Sequence, residues 1–125
     1  MAAAVIRVGV DMMDVDRIAR AIARHGERFY ARCFTPAERA YCDGQPHRLA
    51  ARFAAKEAVA KALGTGIGDV RWVEIEIGAD DRGRPVLRLY GNAARLAAEL
   101  GLTAWDVSLS HTRATAIAFV AATGS

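Results

Sequence analysis

The stretch from about His47 to Leu63, halted by Gly64 and Gly66, constrains the chain more than any other part of it, because it reads as one long helix with two unlike sides. At ~100° per residue, Ala50, Ala51, Ala54, Ala55, Ala58 and Ala62 gather on one side, with Arg52, Phe53, Lys56, Glu57 and Lys61 on the other. Alanine lets a neighbouring backbone approach closely, so the small side is expected against a sheet or another helix. The charged side is then free to line a groove. Taken alone, that side is either a solvated surface with favourable i,i+4 pairs, Glu57 with Lys61 and Arg52 with Lys56, or a binding face.

The segments around this helix suggest what it packs on. Ala3 to Val10 is apolar apart from Arg7 and Gly9 and predicts a buried strand delivering Asp11 at its end. From Asp14 to Arg24 the period turns helical, with Val15, Ile18 and Ile22 on one face and Arg17, Arg20 and Arg24 roughly opposite; Asp14 and Asp16 suit the positive N-terminal end. A short helix is expected at Glu27 to Cys33. Thr35-Pro36-Ala37-Glu38 has the form of a capping box opening another. In the second half, Val70 to Ile77 and Pro85 to Tyr90 predict a hairpin joined at 80–84, and Asn92 to Leu100 a short helix. Trp105 to Ser110 and Ala114 to Ala121 predict two more strands turning at His111-Thr112-Arg113. This order predicts an α+β fold, helices packed on a small antiparallel sheet.

At 125 residues the chain reads as one domain, 1–125, with little margin for a large enclosed site, which favours a site shared between subunits. No apolar run approaches the ~18 residues of a membrane span, and the first residues lack the basic-then-apolar order of a secretory signal, so no membrane is expected and a cytoplasmic location is. Cys33 and Cys42 are expected as reduced structural thiols. The 17 basic residues are balanced by 14 acidic ones, and aromatics are only 7 % of the chain without basic–aromatic interleaving; nucleic acid is not an expected partner.

Three features bear on chemistry. Asp11, at the end of an apolar strand, needs compensation: as a helix cap, or through a metal shared with Glu57, since a hard ion such as Mg²⁺ takes one or two protein carboxylates plus water and phosphate oxygens. Gly64-Thr65-Gly66 permits backbone N–H groups to approach an anion, but equally caps a helix, and it lacks the Gly-Lys-Ser/Thr ending of a nucleotide phosphate loop. In Ser108-Leu109-Ser110-His111 the alternation sets Ser108 and Ser110 on one face. No Gly-x-Ser-x-Gly elbow supports a hydrolase there, and the polar groups suit phosphate better or are simply a sheet edge.

Together, Gly9-Val10-Asp11, the run Arg52-Phe53-Ala54-Ala55-Lys56-Glu57-Ala58 with Lys61-Ala62-Leu63-Gly64-Thr65-Gly66, and Ser108-Leu109-Ser110-His111 resemble the holo-acyl-carrier-protein synthase family, as do Phe34-Thr35, Glu38 and Gly83-Arg84-Pro85. The resemblance implies the compact fold of 4′-phosphopantetheinyl transferases, assembled as a homotrimer with interfacial active sites. It implies transfer of 4′-phosphopantetheine from coenzyme A to a serine of an acyl carrier protein, with Mg²⁺ on Asp11 and Glu57 and Lys61 at the coenzyme phosphates. Arg52, Lys56, Gly64, Thr65, Gly66, Ser110 and His111 would then contact coenzyme A, and Arg17, Arg20 and Arg24 would dock the acidic carrier. Asp14 stands where the family often has a longer acid. The proton acceptor stays open between Glu57, Asp11 and a water on the metal. A non-catalytic anion binder is disfavoured, because acids at a phosphate site serve a metal enzyme and not a simple anion trap.

Overall fold

The computed structural model describes residues 4–124. Five helices and five strands run in the order β1 (Val5–Asp14), α1 (Val15–His25), α2 (Glu27–Cys33), α3 (Pro36–Cys42), α4 (Pro46–Ala62), β2 (Ile75–Ala79), β3 (Pro85–Leu89), α5 (Gly91–Glu99), β4 (Ala104–His111) and β5 (Thr115–Gly124). The strands form two antiparallel sheets: a three-stranded one ordered β1-β5-β4 and the separate β2-β3 hairpin. The α+β architecture expected from the sequence is the one observed.

Alternation along β1 gives it two unlike faces. Arg7, Gly9, Asp11 and Met13 turn toward the helices, whereas Ile6, Val8, Val10 and Met12 lie exposed on the other side. The expected fully buried strand is therefore buried on one face only. It also runs on to Asp14, so Asp11 sits within the strand; Ala3 lies outside the described residues. The register Val10↔Phe119 and Met12↔Ile117 extends the exposed apolar patch onto β5, where Ile117 and Phe119 are likewise exposed.

α4 lies across the inner face of this sheet. Its alanines 50, 51, 54, 55, 58 and 62 are all buried, as the small side predicted. The closeness of the approach shows at Gly9: a β-carbon there would stand 1.9 Å from the carbonyl oxygen of Ala58. Only glycine allows β1 and α4 to meet at that distance. At its far end α4 closes in a Schellman motif, with Thr65 N–H donating to Ala60 O (3.0 Å), Gly64 N–H to Lys61 O (3.0 Å), and Gly64 at φ +77°. Arg7 adds a guanidinium N–H to Ala62 O (3.3 Å), where a cation meets the negative end of the helix.

The other side of α4 departs from expectation. Arg52 and Lys56 do not line a groove; both are buried, Lys56 completely. The Lys56 ammonium donates to Glu38 Oε1 (2.7 Å), Ile75 O (2.7 Å) and Trp72 O (3.0 Å), using all three of its protons. Glu38 is the acid of the predicted capping box, accepting from Thr35 N–H (2.9 Å) while Thr35 Oγ1 accepts from Glu38 N–H (3.3 Å). Its other oxygen takes the Ile77 N–H at 2.7 Å. One carboxylate thus joins α3, α4 and β2. Arg52 donates from Nε to Ile77 O (3.1 Å) and stacks on Tyr41, 4.4 Å from the ring centre.

Two smaller departures concern the second half. The expected strand from Val70 begins only at Ile75, because Trp72–Glu74 turn into a single 3₁₀ turn that brings Trp72 onto Phe53, ring centres 4.3 Å apart. Cys33 and Cys42 are buried free thiols, and burial pushes Cys42 up to about 11, which keeps it protonated and inert. Among the described residues no helix is long and apolar enough to cross a membrane.

Removing one partner of the buried pair strands the other. Lys56→Met is expected to cost about 3–5 kcal/mol of unfolding free energy, read from urea denaturation, and Glu38→Leu in the same chain should recover part of it. Independent, additive losses would show that the two groups do not act as a pair.

Candidate active site

The contact at Gly9 decides what stands beside what. Asp11, two residues on from Gly9, projects from the same face of β1, and Glu57 precedes Ala58 on α4. Close packing of the two backbones therefore sets two carboxylates next to each other at the edge of the sheet. Lys61, one helical turn beyond Glu57, completes the group. Its ammonium donates to Val10 O (2.9 Å), a carbonyl on the β1 edge, and to Asp11 Oδ1 (3.2 Å). The Lys61 side chain stays more than half exposed, so it can still receive an anion.

The electrostatics are unbalanced. Partial burial raises the Glu57 carboxyl above the usual range, the charge of Asp11 raises it further, and Lys61 offsets only part of this. Two acids share one ammonium. Among the described residues no three His, Cys, Asp or Glu side chains converge, so the donor set here is a pair of hard carboxylates. Such a pair is suited to a Mg²⁺-like ion that takes its remaining ligands from water and phosphate, and not to a closed thiolate or imidazole cage. Asp11 has no part in capping α1; that position belongs to Asp14, whose side chain makes no cap hydrogen bond.

The remaining candidates divide. The N–H groups of Gly64 and Thr65 are committed to the end of α4 and cannot cradle an anion, and the Thr65 hydroxyl donates to the Asp69 carboxylate. Of that trio only Gly66 keeps an uncommitted role. Ser110 and His111 turn to opposite faces of β4: Ser110 stands opposite Ile117 on the outer side, whereas His111 pairs with Ala116 on the inner one. His111 and Asp11 share the inner face, but from the two outer strands of the sheet and two residues out of register on β5, about 12 Å apart. Arg52 and Lys56 are taken up by the scaffold. Arg17, Arg20 and Arg24 stand exposed on α1, opposite buried Ile18. The basic surface continues onto α2, where Arg28 and Arg32, with His25 from the end of α1, surround Phe29 in a shallow cleft.

A strand aspartate thus stands against a helix glutamate and lysine, joined through a glycine contact. The 4′-phosphopantetheinyl transferase superfamily model aligns with residues 7–120. The chain belongs to that superfamily. It is 49 % identical over 123 residues to the holo-[acyl-carrier-protein] synthase of Herpetosiphon aurantiacus, covering 93 % of this chain and 97 % of that one. Its fold matches the crystal structure of the Neisseria meningitidis holo-[acyl-carrier-protein] synthase with a TM-score of 0.83 at 38 % identity, over 93 % and 96 % of the two chains. The Helicobacter pylori holo-[acyl-carrier-protein] synthase, crystallised in complex with coenzyme A, superposes with a TM-score of 0.84 at 28 % identity, over 92 % and 98 %.

Sequence reading paired Asp11 with Glu57 but missed one neighbour of the other candidate cluster. His47, in the first turn of α4, packs against His111 with ring centres 4.7 Å apart and the ring planes inclined by 38°. The two are far apart in the chain, and no motif links them.

The raised Glu57 carboxyl has a testable sign. A carboxyl whose folded pKa exceeds its unfolded one favours the fold while protonated and loses that advantage as pH rises through the folded value. Thermal melts in a chelating buffer should therefore show Glu57→Gln gaining on the wild type between pH 4 and 8, by no more than about 1 kcal/mol because solvent screens so exposed a group. A gap that stays flat with pH would mean that Glu57 is not raised.

Proposed function

We propose that this chain is a holo-[acyl-carrier-protein] synthase: it transfers 4′-phosphopantetheine from coenzyme A to a serine of apo-acyl carrier protein, leaving adenosine 3′,5′-bisphosphate and serving fatty acid biosynthesis in the cytoplasm. The observation that carries this reading is the Asp11–Glu57–Lys61 cluster on the open edge of β1, in a chain of this superfamily. The transferase domain spans the chain.

In the reaction the carrier serine oxygen bonds to the β-phosphorus of coenzyme A, the bond from that phosphorus to the bridging pyrophosphate oxygen breaks, adenosine 3′,5′-bisphosphate departs, and the serine proton passes to an acceptor at the site, Glu57, Asp11 or a water. Negative charge grows on the pyrophosphate oxygens, and neutralising it is most of the catalytic task. Mg²⁺ held by Asp11 and Glu57 fits the unbalanced carboxylate pair and supplies positive charge to those oxygens when bound. Lys61 is the chain's own contribution. Anchored on Val10 O and Asp11, its ammonium is held in place before coenzyme A arrives and serves as a fixed point charge for the phosphates. Gly66 and His111 complete the coenzyme contacts.

The chain works as a homotrimer in this reading. Ile6, Val8, Val10, Met12, Ile117 and Phe119 form an apolar sheet face that water does not favour, and copies of the chain cover it. Such packing also supplies what one subunit lacks, a His111 end of one chain beside the Asp11 edge of another. The exposed Arg17, Arg20 and Arg24 dock the acidic carrier, steering encounter through opposite charge.

Mass spectrometry tests the main reading. A carrier protein mixed with coenzyme A and Mg²⁺ should gain ~340 Da in the presence of this chain, Asp11→Ala should slow the gain at least about 100-fold, and native spectra should give three subunits. Coenzyme A binding without any gain in mass would sink the assignment. For docking, Arg17→Glu with Arg24→Glu should raise the KM for the carrier about tenfold and spare that for coenzyme A; equal losses on both substrates would rule out carrier docking on α1.

A further inference from the structure

The His47–His111 pair lies in an open cleft of about 450 Å³ lined by Val15, Pro46, His47, His111, Thr112 and Arg113. Cations surround it: Arg113 from the β4–β5 turn and Arg48 beside His47 on α4, while α1 contributes Val15 to the wall with Asp14 and Asp16 flanking it in sequence. A backbone carbonyl stands beside one ring nitrogen of His111. Nδ1 lies 3.3 Å from Thr112 O, and because a carbonyl can only accept, this contact is a hydrogen bond in the tautomer that carries its proton on Nδ1. In that tautomer Nε2 is a bare lone pair, which repels an anion, and His111 can donate to a phosphate oxygen from Nε2 only after taking up a second proton and becoming a cation.

That cation forms against a second imidazole. Burial and the neighbouring His111 and Arg48 charges hold His47 below the ordinary histidine value, so the free protein resists charging both rings. A dianion in the cleft removes that resistance, since both rings then face opposite charge. Building on the reading of His111 as a coenzyme A contact, we propose that His47 is a positioning residue that makes capture of a phosphate monoester in this cleft a proton-linked event: the packed pair takes its second proton only as the phosphate binds. Binding then tightens as pH falls toward 5.5 more steeply than one histidine alone allows. The second ionisation of the phosphate, near pH 6, is common to every variant and cancels between them.

His47→Phe keeps a packed ring and removes the charge; His47→Gln removes the ring but keeps the side chain polar. In the wild type, NMR titration of the imidazole Cε1–H signals should show two coupled steps, and inorganic phosphate should move the lower one upward. In both variants the coupling between the two steps should be absent. Calorimetry with adenosine 3′,5′-bisphosphate at pH 6, in buffers of different ionisation enthalpy, should count more protons taken up by the wild type than by either variant. Dissociation constants should match at pH 7.5 and favour the wild type by about three- to tenfold at pH 5.5, the effect of half to one pKa unit. Independent single-step titrations in the wild type, a ratio of dissociation constants that does not change with pH, or an effect confined to one of the two variants would each overturn the proposal. His111→Ala separates this from the reading beneath it: unchanged affinity for the bisphosphate at every pH would remove His111 from the coenzyme site, whatever the two rings do to each other.

Discussion

The close approach of β1 to α4 at Gly9 and Ala58 is the constraint on which the rest depends. Backbone meets backbone there with no side chain between, and the same contact sets a strand aspartate beside a helix glutamate. Like charges are not brought together by their own attraction; here the buried alanine face of α4 supplies the force, through apolar burial that is indifferent to charge. The site is thus loaded by packing. Its unfavourable electrostatics are what make it receptive to a cation.

The opposite side of α4 shows how the helix is kept in register for that task. A helix whose buried apolar residues are mostly alanine, with only Leu49 and Val59 larger, has few bulky knobs to stop it sliding along a sheet. The ion pair of Lys56 with Glu38, together with three backbone carbonyl and amide contacts, supplies a directional lock where shape alone is weak. Burial pulls the Lys56 ammonium down from its ordinary value, and Glu38 offsets part of that. Lys56 and Glu57, neighbours in sequence, therefore have opposite surroundings: one is locked inside the scaffold, the other stands half-buried beside Asp11 and Lys61.

Much of this was legible in the residues themselves. The helical period of 46–62, the alanine face, the capping box at Thr35 and Glu38 and the strand pairs of the second half all follow from local rules, and the architecture they predicted is the one found. Less legible was which charged residues of α4 face inward. Helical spacing puts Arg52, Lys56, Glu57 and Lys61 on one side, but the partners that bury Arg52 and Lys56 come from α3 and β2, distant in sequence. Local rules also misjudged β1 as buried, because a strand apolar on both faces reads as buried even where Ile6, Val8, Val10 and Met12 lie exposed. The packing of His47 on His111 has no local signature at all.

The order of strands in the three-stranded sheet carries a consequence for how the chain comes to be folded. β5, the last element described, is the middle strand, so β1 and β4 have no partner until it arrives. Helices α1 to α4 can begin to form during synthesis, which proceeds from the N-terminus, yet the surface on which α4 must settle does not exist until Thr115–Gly124 has been made. A nascent chain halted before Thr115 would hold every residue of the Asp11, Glu57 and Lys61 cluster and still lack the central strand that fixes Asp11 in place. Competence at the site is therefore decided by β5, a strand made after every residue of the cluster.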